Sequence, residues 1–123
     1  MKKTLSNARM AEMLHQLRPL LSRRDKLGYA AARNYRILSD SLTEYEVFRR
    51  ELIEKYGESG ADENGAPTFS IQIGSPNFKL FCDELAPISK TEHGVELMTA
   101  KYSDAVGNLS GEEILGVDWM LED

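Results

Sequence analysis

Six side chains near the front of the chain could recognise an anion. Lys26, Tyr29, Arg33 and Arg36 stand at i, i+3, i+7 and i+10, a single stripe on a helix, with Arg23 and Arg24 just before them. A guanidinium grips phosphate or carboxylate through two parallel hydrogen bonds, and an exposed tyrosine ring can stack on a base or an aromatic group. Cations at the start of a helix oppose its macrodipole. Arg23, Arg24, Lys26 and Arg33 against a single Asp25 therefore cost stability that some contact must offset. Either the stripe binds a small anionic partner, or it pairs with acidic groups of its own chain or of a second copy.

Catalytic chemistry finds less material. His15 and His93 are the only histidines and Cys82 is the only cysteine. They fall in different elements, and no HExxH or paired-cysteine spacing offers a zinc site. Cys82 falls on the apolar stripe of its segment, the position of a buried structural thiol rather than of a nucleophile. GxxxxGK[ST], GxGxxG and GxSxG are absent, so phosphate-loop, dinucleotide and hydrolase signatures are missing. Asp62-Glu63-Asn64-Gly65 lacks the spaced ligands of a calcium loop and reads as a turn. No catalytic residue, metal site or cofactor is expected.

The charge balance sharpens the choice. The 123 residues hold 15 basic and 20 acidic side chains. Nine of the basic groups lie in the first 36 residues, against Glu12 and Asp25 alone, while the rest of the chain is strongly acidic. An acidic whole repels a polyanion, so nonspecific nucleic-acid binding is disfavoured. A lone cysteine excludes an internal disulfide and favours a reducing compartment. The first residues lack a continuous apolar core of the kind a secretory signal has, and no apolar run approaches the roughly 20 residues needed to cross a bilayer. A cytoplasmic protein is expected, without membrane contact.

The elements that would carry these groups follow from periodicity. Leu5, Ala8, Met10, Met13, Leu14, Leu17 and Leu21 mark a first amphipathic helix that stops or kinks near Arg18, because Pro19 disfavours helical geometry there. Ser22 to Asp25 resembles a capping box, and from there to Tyr56 a second helix runs without proline. At about 1.5 Å per residue it would span about 50 Å, too long for helix 1 to cover, so its excess end needs the C-terminal half or another subunit. Asn34 sits in its apolar seam, where it either fixes helix pairing or marks a locally wet stretch. Gly57 suits a C-cap, and the following residues to Pro67 read as a linker.

Period-two alternation predicts strands over Thr68–Ile73 and Val95–Ala100, paired antiparallel across a short helix that starts at Ser75-Pro76 and ends before Pro87. Ser110-Gly111-Glu112-Glu113 is a capping box before a last helical turn. The expected fold is α+β: a helical hairpin with one long helix (residues 1–57), a linker (58–67), and a small two-stranded sheet with a short helix (68–123), all in one domain.

From Leu17 onward the chain resembles a family of small proteins of unknown function encoded by tailed phages and prophages of Gram-positive bacteria. The resemblance rests on Leu17-Arg18-Pro19, the basic segment into Ala32-Arg33-Asn34, and the helix end Glu54-Lys55-Tyr56-Gly57. Asp62-Glu63-Asn64-Gly65, Phe81, Leu85 and Val95-Glu96-Leu97 complete it, although the linker differs in length. The family supplies no catalytic residues to carry over. It implies a phage accessory protein working in the host cytoplasm. The expected activity is then non-enzymatic: countering host defence by occupying an immune protein or sequestering a small nucleotide signal. The alternative is an oligomeric structural or tail-assembly protein, which the long helix and its Asn34 seam would favour.

Overall fold

The chain opens as a strand, β1 (Lys2–Ser6), before the first helix begins, α1 (Asn7–Leu17). Ser6 caps α1 by accepting a hydrogen bond from the Arg9 amide at 3.1 Å. Pro19 acts as expected: α1 gives way at Arg18 to a 3-10 turn over Arg18–Leu20. The next helix, α2 (Lys26–Ser41), is capped by Asp25 and not from Ser22. The Asp25 carboxylate accepts from the Gly28 amide at 3.1 Å and is itself held by Arg23, with Nη2–Oδ2 at 2.6 Å. A capping carboxylate braced by an arginine outcompetes the serine hydroxyl three residues earlier.

The expected single long helix is two helices. α2 ends at Ser41 and α3 (Thr43–Tyr56) follows, separated by Leu42, whose ψ of −1° opens the helical ladder. The Leu42 amide is shared between the Leu38 and Ser39 carbonyls, at 3.0 and 3.1 Å, while its side chain is fully buried. The uninterrupted helix on which the argument for a second subunit rested is therefore not formed.

The structure, a computed structural model, describes all residues 1–123 and resolves them into two compact units. One comprises Met1–Leu42 and Glu92–Asp123; the other is Thr43–Thr91. In the first, α1 packs on α2 and on α6 (Gly111–Val117). The core holds Met10, Met13, Leu17, Leu20, Leu27, Leu38, Val117 and Met120, all at or below 1% exposure. The capping box at Ser110 forms as expected, with Ser110 Oγ accepting from the Glu113 amide and Glu113 Oε1 accepting from the Ser110 amide. Trp119 in the following turn donates to Gln16 of α1 at 3.0 Å.

Strand pairing departs from the expected scheme. The strand β4 (Glu92–Glu96) pairs antiparallel with β1, Lys3 opposite Val95 and Leu5 opposite His93. The short strands β5 (Ala100–Lys101) and β6 (Leu121–Glu122) pair in parallel. A four-residue helix, α5 (Tyr102–Ala105), follows β5 directly.

In the second unit the expected linker is half of a hairpin. β2 (Glu58–Ala61) pairs with β3 (Pro67–Ser70), and Asp62 Oδ1 ties the turn by accepting from the Asn64 and Ala66 amides at 2.9 Å each. The two strands foreseen as partners thus belong to different sheets, each paired with a segment not read as a strand. Gly57 closes α3 through close approach: a Cβ there would meet the Ile53 carbonyl oxygen at 2.4 Å. α4 (Pro76–Ser89) starts at the Ser75 cap as expected but runs through Pro87 to Ser89, giving up the one hydrogen bond that residue 87 would have donated to the Asp83 carbonyl. Cys82 is exposed on α4, not buried. α3 and α4 pack together over Tyr45, Leu52 and Phe81.

Candidate functional site

The basic stripe separates on folding into groups with different work. Arg23 is structural. Its Nε and Nη2 hold Asp25, and its Nη1 donates to the Asn108 carbonyl at 3.1 Å, which fixes the entry to α2. Asp25 is correspondingly held below the usual aspartate range, first by the Arg23 hydrogen bonds and then by the Gly28 amide. Arg24 and Arg36 are exposed and line neither of the two grooves described next. Lys26, Tyr29 and Arg33 do.

These two grooves adjoin along one face of α2. The first, about 410 Å³, runs between Lys26 and Tyr29 on the helix and the segment Met98–Lys101, with Asp25 and Asp104 at its margins. The second, about 340 Å³, lies between Tyr29, Arg33 and Ile37 on the helix and Glu96, the last residue of β4, with Leu97 and Met98 just beyond it. Tyr29 and Met98 line both. The tyrosine ring is 57% exposed and Met98 is 37% exposed, although neither position needs an apolar group for the core. Arg33 Nη1 lies 3.5 Å from the Tyr29 hydroxyl and has no carboxylate partner.

Asn34 builds this site from beneath. It is fully buried, and its amide closes a two-way pair with the Met98 backbone. Nδ2 donates to the Met98 carbonyl at 2.9 Å and Oδ1 accepts from the Met98 amide at 2.7 Å. The side chain thus stands in for a neighbouring strand and satisfies two backbone groups that would otherwise be costly to bury. In this seam the side chain is therefore engaged by the Met98 backbone.

Electrostatically the grooves are balanced. Lys26, Lys101 and Arg33 face Asp25, Asp104 and Glu96. Lys101 is committed to Glu122 at 3.4 Å; the Thr99 hydroxyl, and then Lys101, hold the Glu122 carboxyl below its usual range. The whole first unit carries ten basic and eleven acidic side chains, so the positive excess of the early chain is met by the acidic segment Glu92–Asp123. The second unit carries five basic and nine acidic groups.

His15 lies on α1 and His93 on β4, while Cys82 belongs to the second unit, which contains no histidine. No three His, Cys, Asp or Glu side chains converge as a metal site. No helix is long and apolar enough to cross a membrane.

Lys26, Tyr29 and Arg33, expected from their spacing to form a binding stripe, line the two grooves; the opposite wall, Glu96 to Lys101, was not among the expected residues. One signal was available: Met98 is an apolar residue at a position whose neighbours in the alternation, Glu96 and Ala100, mark the outer face. A scan against protein-family models, a search of curated proteins and a search of solved structures give no match to the chain.

Proposed function

We propose that the chain is a non-enzymatic binding protein whose contact surface is the α2 face of Lys26, Tyr29 and Arg33 together with Met98. In the phage setting implied by its resemblance, the partner is a host immune protein whose action it blocks. The observation that carries this reading is the pair of grooves sharing an exposed tyrosine and an exposed methionine beside an uncompensated arginine. Tyrosine, arginine and methionine are enriched in protein–protein contacts, where they supply area and directed hydrogen bonds at modest entropy cost.

The equal numbers of positive and negative groups around the grooves favour a protein partner over a nucleotide signal. Sequestering a nucleotide calls for a net positive site with several donors aimed at phosphate. The assembly-protein alternative was motivated by an over-long helix 2 and its polar Asn34 seam; the interruption at Leu42 and the bonding of Asn34 to the Met98 backbone leave it with less support.

The test compares tagged wild-type protein with a Tyr29→Ala/Arg33→Glu variant as baits in host-cell lysate, together with melting shifts in cyclic and ADP-ribose-type nucleotides. A host protein retained by the wild type and released by an equally stable variant is the expected result. Equal capture by both, or a melting shift with a nucleotide that the variant abolishes, would overturn it.

A further inference from the structure

The hydrogen-bond parity of the β1–β4 pair shows which backbone groups are left over. Met1 and Leu97 exchange both backbone bonds, Leu97 N–H to Met1 O at 2.8 Å and Met1 N to Leu97 O at 3.0 Å. In an antiparallel ladder bonded and non-bonded pairs alternate, so Lys3 with Val95 and Leu5 with His93 are the bonded pairs. Gly94 and Glu96 therefore turn both their N–H and C=O groups away from β1, toward the outer edge of β4. Met98 continues the same parity, and it is there that the Asn34 side chain takes up both groups. Asn34 thus closes the edge at one position only. One step back, at Glu96, the edge opens into the 340 Å³ groove whose far wall is Tyr29, Arg33 and Ile37.

A groove with a helix on one side and a strand edge on the other is the geometry in which an extended peptide adds to a sheet. Its main chain bonds to the free edge, and its alternate side chains meet the helix. The side-chain environment here selects the peptide. Ile37, Leu97 and Met98 offer an apolar floor, and Arg33 is a cation without a carboxylate. The only acidic group on the wall, Glu96, is paired with the Met1 ammonium at 3.0 Å.

We infer that the groove between α2 and β4 takes an extended segment of a partner protein as an added strand on β4, with an apolar side chain on Ile37 and Met98 and a carboxylate at Arg33. This rests on the proposed partner-binding role of the same face and specifies how the partner is held. Asn34 acts as the stop that sets where the added strand must end.

The probe is a set of end-blocked hexapeptides alternating valine and threonine, with Glu, Gln or Lys at one central position, titrated by fluorescence anisotropy. Binding in the order Glu, Gln, Lys is expected, with the order reversed by Arg33→Glu. Glu96→Pro removes the outward N–H while leaving the β1 ladder intact, because that amide does not face β1. It should weaken binding about tenfold relative to Glu96→Gln, the scale of one lost backbone hydrogen bond. N-methylation of the peptide amides that face β4 should weaken binding to a similar degree without any change to the protein. Binding indifferent to N-methylation, or no preference for Glu over Lys, overturns the inference. So does light scattering that shows a wild-type dimer dispersed by Glu96→Pro, because a second copy would then occupy the edge. If Tyr29→Ala/Arg33→Glu releases a protein partner that Glu96→Pro retains, the partner-binding face stands and the added strand fails. If neither variant releases it, both fail.

Discussion

The two units of this chain are built to different densities. Sixteen of the nineteen buried apolar residues lie in Met1–Leu42 and Glu92–Asp123, and most of them are at or below 2% exposure. The Thr43–Thr91 unit buries only Tyr45, Leu52 and Phe81, each still 5–8% exposed, and leaves Val47, Phe69, Ile73 and Leu80 in solvent. Both strands of its hairpin are exposed along their whole length. The proposed contact face sits on the dense unit, where α2 is anchored by Leu27, Asn34 and Leu38 on the side opposite Tyr29 and Arg33. A rigid base loses little entropy when its outer face binds, which is where a contact surface gains most from its scaffold.

The contrast can be tested by breaking each side of it. Leu38→Ala, in the dense unit, should cost about 2–5 kcal/mol of unfolding free energy, whereas Leu52→Ala in the thin unit should cost about half as much, because its surroundings can collapse or hydrate. Denaturant unfolding of the two variants measures the difference, and equal costs would remove the contrast.

Asn34→Ala should come next, at about 2–4 kcal/mol, since it strands both the amide and the carbonyl of Met98 with no replacement partner. A smaller loss, with Met98 amide exchange unchanged, would mean that the pair is not closed as described. Gly28→Ala should destabilise by about 1–3 kcal/mol, against the usual gain for such a change in a helix, because the added Cβ would lie 2.1 Å from the Arg23 carbonyl oxygen. A more stable variant would show that the entry to α2 is looser than it stands here.

The smallest effect concerns pH. Asp25 has its folded pKa lowered by Arg23 and the Gly28 amide, so its contribution is present above the ordinary aspartate value and is lost as pH falls through the lowered one. Melting curves of wild type and Asp25→Asn should therefore differ at neutral pH and converge in acid. A gap that persists in acid would contradict the assignment.

Local signals were legible where they depend on a few adjacent residues. Ser75-Pro76 and Ser110-Glu113 started helices as read, and Pro19 ended one. Signals that depend on distant segments were not. β1 finds its partner about ninety residues away, and its five residues overlap the leucine and methionine spacing of α1, which hides the period-two pattern. The break between α2 and α3 falls in Ser39-Asp40-Ser41-Leu42-Thr43-Glu44, whose short polar residues and S-x-x-E spacing are a helix-start signal, but with no glycine or proline the apolar stripe reads straight through it. Pro87 is the opposite case: the helix runs on past it to Ser89 despite the backbone hydrogen bond that proline cannot make. At the site, the α2 wall was legible from spacing. The β4 wall was not, because it required knowing that Asn34 faces Met98.

Hydrogen exchange at individual amides of the unliganded protein tests the open edge beside the Asn34 closure most directly. Met98, Val95 and Leu97 should be strongly protected, Met98 by the Asn34 side chain and the others by β1, while Gly94 and Glu96 between and beside them exchange quickly. Gly94 and Glu96 amides as slow as Met98 would mean that the outer edge of β4 is already occupied, and the added-strand surface would not exist.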